Sequence, residues 1–188
     1  MKKLILTGML AFSLSYVSAQ SGERNHIGGY GAAVTEITAI DGNAALSVGG
    51  HGGVLLNHNW LVGISGYTTF FSKQMEQGKA KLRFNHFGLY GARHFQPSKP
   101  VNLSVGLMVG AGTVELNNQS ELEKGNKRDG DWTYVIQPDI NLNVRIFRYM
   151  KVQARAGYRF TGDTNGAIYT RSNLNGATAG IGLLFGSF

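Results

Sequence analysis

The sequence predicts an all-β chain: an eight-stranded antiparallel transmembrane β-barrel, an up-and-down meander preceded by a signal peptide. Three observations carry this prediction: an export signal, eight strand-like runs with alternating polar and apolar residues, and connections of alternating length. After the signal, no apolar run approaches the roughly 20 residues that a membrane helix needs. Strands must therefore make any membrane crossing, and only a closed barrel satisfies their backbone hydrogen bonds in lipid.

The first twenty residues have the three parts of a secretory signal. Lys2 and Lys3 give a basic start, an apolar run covers 4–17, and Ser18-Ala19 form a small-residue cleavage site. A membrane anchor is the weaker interpretation, because the run is short and no basic stop-transfer cluster follows it. We expect residues 1–20 to be a signal peptide and residues 21–188 to form one barrel domain.

Charge and cysteine content narrow the class of protein. The chain has 18 basic side chains, and removing Lys2 and Lys3 leaves 16 against 11 acidic ones. This mild excess does not cluster as nucleic-acid binding needs, so no nucleic-acid partner is expected. Cysteine is absent, and an exported domain without disulfides is held by its core, by lipid or by a closed hydrogen-bond network.

The first four strands are predicted near 27–39, 44–56, 61–73 and 80–95. The first two are rich in glycine, which lets a narrow wall curve and leaves room for long inward side chains such as Arg155 and Arg159. A phosphate loop around His51 is not supported, because no Gly-Lys-Ser/Thr follows its glycines. The third run is β-branched and aromatic, which disfavours a helix.

The fourth run does not show which of its faces is apolar, because Phe87 and Leu89 lie at odd positions whereas Leu82 and Phe84 lie at even ones.

The last four strands are predicted near 101–115, 132–147, 151–161 and 174–188. In the segment QPDINLNVRIF, residues 137–147, apolar and polar residues alternate strictly, and a period of two puts them on opposite faces of a strand. In a soluble sandwich the apolar set would face the core. In a membrane barrel we expect Ile140, Leu142, Val144 and Ile146 to face lipid, and Asp139, Asn141, Asn143 and Arg145 to face the interior.

The interior charges need partners of opposite sign. Arg155 and Arg159 fall on the inward parity of strand seven, and the available carboxylates are Asp139, Glu36 and Glu115. Counting back from the turn near 148–150 predicts that Arg159 lies opposite Asp139, with Arg155 opposite Asn143.

Connections differ in length at the two ends. Those at 57–60, 96–100 and 148–150 are tight, and those near 74–80, 116–131 and 162–173 are long and polar; the turn at Asp41 to Asn43 is short but falls on the long-loop side. Outer-membrane barrels have short turns in the periplasm and long loops outside. Aromatic residues fall near both ends, as the two membrane interfaces favour: Trp60, Phe95, Phe147, Tyr149 and Phe188 at the short-turn end, and Phe70, Phe71, Trp132, Tyr134 and Phe160 at the other.

These features resemble the small eight-stranded outer-membrane barrel families, such as outer-membrane protein X and the transmembrane part of outer-membrane protein A. The signal ending at Gln20 and the GYR segment at 157–159 are similar to barrels of the Bacteroidetes. The terminal Phe188 is similar to the aromatic end that the barrel assembly machinery reads. In the last strand, Phe188 falls on the face opposite to the apolar residues Ala179, Ile181, Leu183 and Phe185. Either a bulge near Gly186 shifts the register, or Phe188 is not a full assembly signal.

No catalytic residue, metal ligand or cofactor is predicted. The five histidines lack a metal spacing, and His86 and His94 would lie roughly 27 Å apart along one strand. His51 with Ser47 is the nearest approach to a hydrolase pair, and we interpret it as filling of the interior. An eight-stranded wall encloses space for side chains rather than a wide channel.

The function predicted is a structural or surface-interaction role in the cell outer membrane. The expected partners are outer-membrane lipid, the barrel assembly machinery and an extracellular ligand bound through the loops. The charged loop 117–131 is either a solvated hairpin tip, the simpler interpretation, or an adhesive surface. The alternatives are a lipid-modifying enzyme and a soluble lipocalin-like binder, which would have an apolar interior and a polar exterior.

Overall fold

Eight antiparallel strands follow one another round a closed barrel, each paired with the next and the last with the first. The computed structural model describes residues 27–40, 43–75, 78–116, 131–162 and 174–188. The strands are β1 Ile27–Ile40, β2 Asn43–Leu56, β3 Trp60–Met75, β4 Gly78–Phe95, β5 Val101–Leu116, β6 Asp131–Phe147, β7 Met150–Thr161 and β8 Gly176–Ser187. The predicted meander and its strand count are confirmed.

Several predicted features lie outside the described residues. These are the signal peptide, residues 21–26, and the connections 41–42, 76–77, 117–130 and 163–173. In the described part of the chain, no helix has the length and apolar character to cross a membrane.

Three tight connections join strands at one end of the barrel: 57–59, 96–100 and 148–149. Asn57 and His58 adopt left-handed backbone angles, with φ of 50° and 58°, as does Gln96 with φ of 52°. Asparagine tolerates that conformation better than most residues, which suits Asn57 to the β2–β3 turn. We call this end of the barrel the short-turn end.

The facing of β6 is that of a membrane barrel. Ile140 and Leu142 are 55% and 45% exposed, whereas Asp139 is 2% and Asn143 0% exposed. Val144 and Arg145 are both half-buried, so these two residues near the end of β6 do not follow the predicted alternation. The apolar surface is turned outward and the polar one inward, so the lipocalin-like alternative is wrong.

Most exposed aromatic side chains lie near the ends of the strands, with two exceptions to the prediction. Those at the short-turn end are Trp60, Phe95, Phe147, Tyr149 and Phe185, and those toward the other end are Phe70, Trp132, Tyr134, Tyr158 and Phe160, while Phe87 is exposed midway along β4. Phe71 and Phe188 instead pack against the buried core. Each is on the inward parity of its strand, next to an outward neighbour.

The two ambiguous strands have one clear facing each. In β4, Phe84, His86 and Tyr90 are buried while Phe87 and Leu89 are exposed. An aromatic ring therefore fills the interior at Phe84. The β1–β8 register runs without a shift from Gly29 opposite Ser187 to Thr38 opposite Thr178. Of the two explanations offered for the parity of Phe188, the bulge near Gly186 is therefore not observed, and a weaker assembly signal stays a prediction.

The predicted pairing of Asp139 with Arg159 is also wrong. Across β6 and β7, Asn141 lies opposite Arg155 and Asp139 opposite Gly157. The β6–β7 turn contains only residues 148 and 149, which moves the pairing by one residue relative to counting from a turn at 148–150. A register shift between Arg145 and Phe147 moves it by one more. The register change brings Arg155, rather than Arg159, to Asp139.

Candidate functional site

A buried charge cluster occupies the middle of the barrel interior. Arg155 on β7 contacts Asp139 on β6 at 2.7 Å and Glu36 on β1 at 3.1 Å, and all three side chains are at most 1% exposed. The two carboxylates contact different terminal nitrogens of the guanidinium, Nη1 and Nη2, and stabilise its charge where water is scarce. The side chain of Glu115, the third predicted partner, lies outside the described residues.

Two tyrosines complete this cluster. The Tyr90 hydroxyl donates to Asp139 Oδ1 at 3.0 Å, and Arg155 donates to the Tyr67 hydroxyl. The Arg155 guanidinium also lies over both rings, 5.2 Å from the Tyr67 centroid and 5.8 Å from that of Tyr90. The rings shield the ion pairs on two sides, which strengthens their attraction.

The half of the interior toward the long connections is built around Arg159. Its Nε donates to the Leu174 carbonyl at 3.0 Å and its guanidinium lies 5.3 Å from the Phe84 ring. His86 stacks on Phe84 and on Tyr67, with centroids 5.0 Å and 5.4 Å apart. Among the described residues, neither terminal nitrogen of Arg159 has a hydrogen-bond partner. Arg159 is thus held by packing more than by an ion pair.

The half toward the short-turn end is an amide network. Asn143 Nδ2 lies 3.2 Å from Asn102 Oδ1 and 3.1 Å from Ser104 Oγ, and Gln153 donates to Asn143 Oδ1 at 3.0 Å. Asn143 therefore connects β5, β6 and β7, a role that its position in an alternating pattern does not reveal.

Below that network, aromatic and basic groups cover the mouth of the barrel. The Tyr30 hydroxyl lies 3.0 Å from His94 Nε2, and the Tyr30 and Phe188 rings are 5.3 Å apart. Lys151 Nζ lies 3.9 Å from the centroid of Phe188. These contacts account for the inward direction of Phe188.

The structure does not bring His51 and Ser47 together as a hydrolase pair. His51 Nδ1 lies 3.5 Å from the Tyr67 hydroxyl, whereas Ser47 accepts from Thr69 at 3.1 Å. Both are buried fillers of the interior, as predicted. Within the described ranges, no group of three or more histidine and acidic side chains has the arrangement of a metal site.

Buried side chains from all eight strands fill the interior. The large, fully buried side chains include Arg159, Tyr90, Phe84, Lys151, Met108, His86, Gln137 and Gln153. Sequence parity identified Arg155, Arg159 and Asp139 as inward. It missed Tyr67 and Tyr90 as the partners of Arg155 and Asp139. Both tyrosines share parity with buried neighbours on β3 and β4, which is the signal that could have found them. The arrangement supports a rigid plugged wall rather than a wide passage.

Solved structures of small outer-membrane barrels share this fold. The chain resembles Neisserial surface protein A with a TM-score of 0.64 at 10% identity, over 85% of this chain and 96% of that one. It resembles the outer membrane protein OprG from Pseudomonas aeruginosa with a TM-score of 0.55 at 13% identity, over 85% and 95% of the two chains.

A third match is Ail, the attachment invasion locus protein of Yersinia pestis, in complex with the heparin analogue sucrose octasulfate. Its TM-score is 0.54 at 12% identity, over 85% of this chain and 97% of that one. No protein-family model and no curated protein matches the sequence. The Bacteroidetes origin suggested by the sequence stays a prediction. With its closed meander, outward apolar band and polar interior, the chain has the fold of the small eight-stranded outer-membrane β-barrels.

Proposed function

We propose that this protein is a structural and surface-interaction protein of the Gram-negative outer membrane, adhesion-like in its use of exposed loops. The observation that carries the proposal is the filled interior, in which Arg155 is tied to Glu36 and Asp139 and flanked by Tyr67 and Tyr90. A barrel with a filled interior has only its outer wall and its loops available for contact with other molecules. Binding residues are commonly found on loops held by a rigid scaffold.

The loop 117–130 is the best candidate for recognition. It contains Glu121, Glu123, Lys124, Lys127, Arg128 and Asp129, so it offers both signs of charge to a partner. The structurally similar Ail is named for attachment and invasion and was solved with a sulfated heparin analogue. That likeness makes immobilised heparin a reasonable first probe for this protein.

The test is a loop exchange in the full-length protein. Replacing 117–130 by Asn-Gly should leave the barrel folded, because this segment connects the end of β5 to the start of β6 and a two-residue turn suits an antiparallel hairpin. Folding is read as heat-modifiable gel mobility, and binding as retention on heparin and as attachment of cells expressing the protein. We expect folding to persist and binding to fall.

A matched control keeps the loop length while changing its chemistry. In it, Lys124, Lys127 and Arg128 become glutamine. Loss of binding in both variants supports recognition by basic loop residues. Unchanged binding in both would contradict the proposal, and loss of folding on loop exchange would show that 117–130 is part of the wall.

Two further parts of the proposal concern export and chemistry. We propose that residues 1–20 are removed on export, which N-terminal sequencing of the mature protein tests, and that the barrel assembly machinery inserts residues 21–188.

We also propose a non-enzymatic role. A lipid-modifying hydrolase needs serine, histidine and an acid in mutual contact, and Ser47 and His51 have other partners.

A further inference from the structure

Charge is segregated at the short-turn end of the barrel. The described stretches at this end are 27–29, 56–60, 93–101, 145–151 and 186–188. They contain no acidic side chain and five basic ones: Arg93, Lys99, Arg145, Arg148 and Lys151. A concentration of one sign attracts a partner of the opposite sign.

A cleft at this end combines two of these cations with apolar side chains. It has a volume of about 630 Å³ and is lined by Pro100, Arg145, Ile146, Phe147, Arg148 and Phe188. Ile146 and Phe147 are about half exposed on the outer surface of the barrel, at 48% and 53%. The cleft therefore joins a cationic edge to the lipid-facing wall.

The two arginines are placed to receive an anion. Arg145 Nη2 donates a hydrogen bond to the Pro97 carbonyl at 3.0 Å, which anchors the arginine side chain at the rim. Arg148 is exposed in the β6–β7 turn. Both ion pairs that the described residues form involve Arg155, so no described carboxylate lies within 4.0 Å of Arg145 or Arg148.

Arg93 and its aromatic neighbours are typical of the boundary between hydrocarbon and lipid headgroups. Arg93 is exposed on β4, 5.2 Å from the Trp60 ring centroid and 5.5 Å from that of Phe95. Aromatic rings gather at the boundary between hydrocarbon and headgroups, and arginines near strand ends extend toward the same boundary. We therefore expect the exposed cations of the short-turn end to lie near the level of lipid phosphates.

From this geometry we propose that the cleft binds an anionic phospholipid of the periplasmic leaflet, with its phosphate between Arg145 and Arg148 and its acyl chains along Ile146 and Phe147. Guanidinium groups bind phosphate through charge-assisted hydrogen bonds. The apolar lining distinguishes a lipid from a soluble anion, which has nothing to place there. The inference does not depend on the role proposed for the loops.

The test measures binding of fluorescent phosphatidylglycerol and phosphatidylcholine to the refolded full-length protein in neutral detergent micelles. We expect preference for phosphatidylglycerol, and a loss of about fivefold in its affinity for each arginine replaced in Arg145→Gln and Arg148→Gln. Phosphatidylcholine binding should not change. The lysine variants Arg145→Lys and Arg148→Lys should retain much of the preference, because they keep the charge.

Arg83→Gln provides a matched control. Arg83 is also exposed and lies 5.4 Å from the Phe70 ring centroid, but at the opposite end of the strands and outside the cleft. It should leave phosphatidylglycerol binding unchanged. Heat-modifiable mobility confirms that each variant is folded.

Three results would overturn the proposal. Equal affinity for the two lipids would show no headgroup selection, and unchanged affinity in the double glutamine variant would remove the arginines from the site. Competition by soluble glycerol phosphate or polyglutamate as effective as that by lipid would assign the cleft to a soluble anion or an acidic protein.

Discussion

At the residue scale, Arg155 links four strands. It lies on β7 and contacts Glu36 on β1, Tyr67 on β3 and Asp139 on β6. Arg155→Leu leaves two buried carboxylates without their cation, and we expect it to lower the free energy of unfolding by about 3–5 kcal/mol. A urea titration of refolding into lipid bilayers measures this loss.

A double-mutant cycle separates the two possible partners of Asp139. Combining Asp139→Asn with Arg155→Leu should give a coupling of about 0.5–3 kcal/mol, whereas combining it with Arg159→Leu should be close to additive. A larger coupling to Arg159 would favour the register that simple counting from the turn predicts, and would contradict the pairing in the structure.

Gly106 makes room for the contact between Tyr90 and Asp139. A Cβ at this position would meet the Tyr90 hydroxyl and would lie 2.6 Å from Asp139 Oδ1. Gly106→Ala should therefore destabilise the barrel by about 1–3 kcal/mol through overpacking. Gly31→Ala is the control, because a Cβ there meets nothing within 4 Å. Equal effects of the two substitutions in the same titration would argue against this packing.

At the scale of the strands, the cost of placing a charge on the outer apolar face should depend on its depth in the membrane. Leu142 is exposed on the apolar band, and Leu142→Arg should cost about 2–4 kcal/mol. Val101 is equally outward at the start of β5, near the short-turn end, so Val101→Arg should cost about 0–1 kcal/mol. Similar costs at both positions in a refolding titration would contradict the expectation that Leu142 lies deeper in the hydrocarbon than Val101.

The next position on β6 shows where pattern alone falls short. As an inward residue, Asn143 looks replaceable by alanine. Its contacts with Asn102, Ser104 and Gln153 mean that truncation leaves buried polar groups unpaired, which costs about 1–3 kcal/mol. Asn143→Ala thus does not serve as a silent control for Leu142→Arg.

Strand positions were predictable because the two-residue period is a local property. The sixth strand, predicted at 132–147, is observed at Asp131–Phe147, and the fifth, predicted at 101–115, at Val101–Leu116. Pairing was not predictable at the same level, because one irregularity between Arg145 and Phe147 changes which residues meet further along the strands. The interior contacts depend on that register, and so does the partner of Arg155.

At the scale of the whole molecule, the filled interior predicts that the barrel conducts few ions. The unmodified protein should show no large steady conductance in single-channel recording, because Arg155 and the rings of Tyr67 and Tyr90 occupy the middle of the barrel. Tyr67→Ala combined with Tyr90→Ala should raise the conductance by removing two of these fillers. A large conductance in the unmodified protein would replace the plugged-wall description with that of a pore.

The seam between β1 and β8 has a consequence for the order of events in biogenesis. Gly29 pairs with Ser187, so this seam joins residues from the two extremes of the described chain. Until β8 has been synthesised, the preceding strands have no closing partner and present an open edge. The chain therefore cannot close its barrel until its last strand has been synthesised, and loop-closure entropy makes such distant pairing slow. Until then, the exposed edges of the seven preceding strands can pair with strands of other chains, so barrel closure should protect this protein against aggregation.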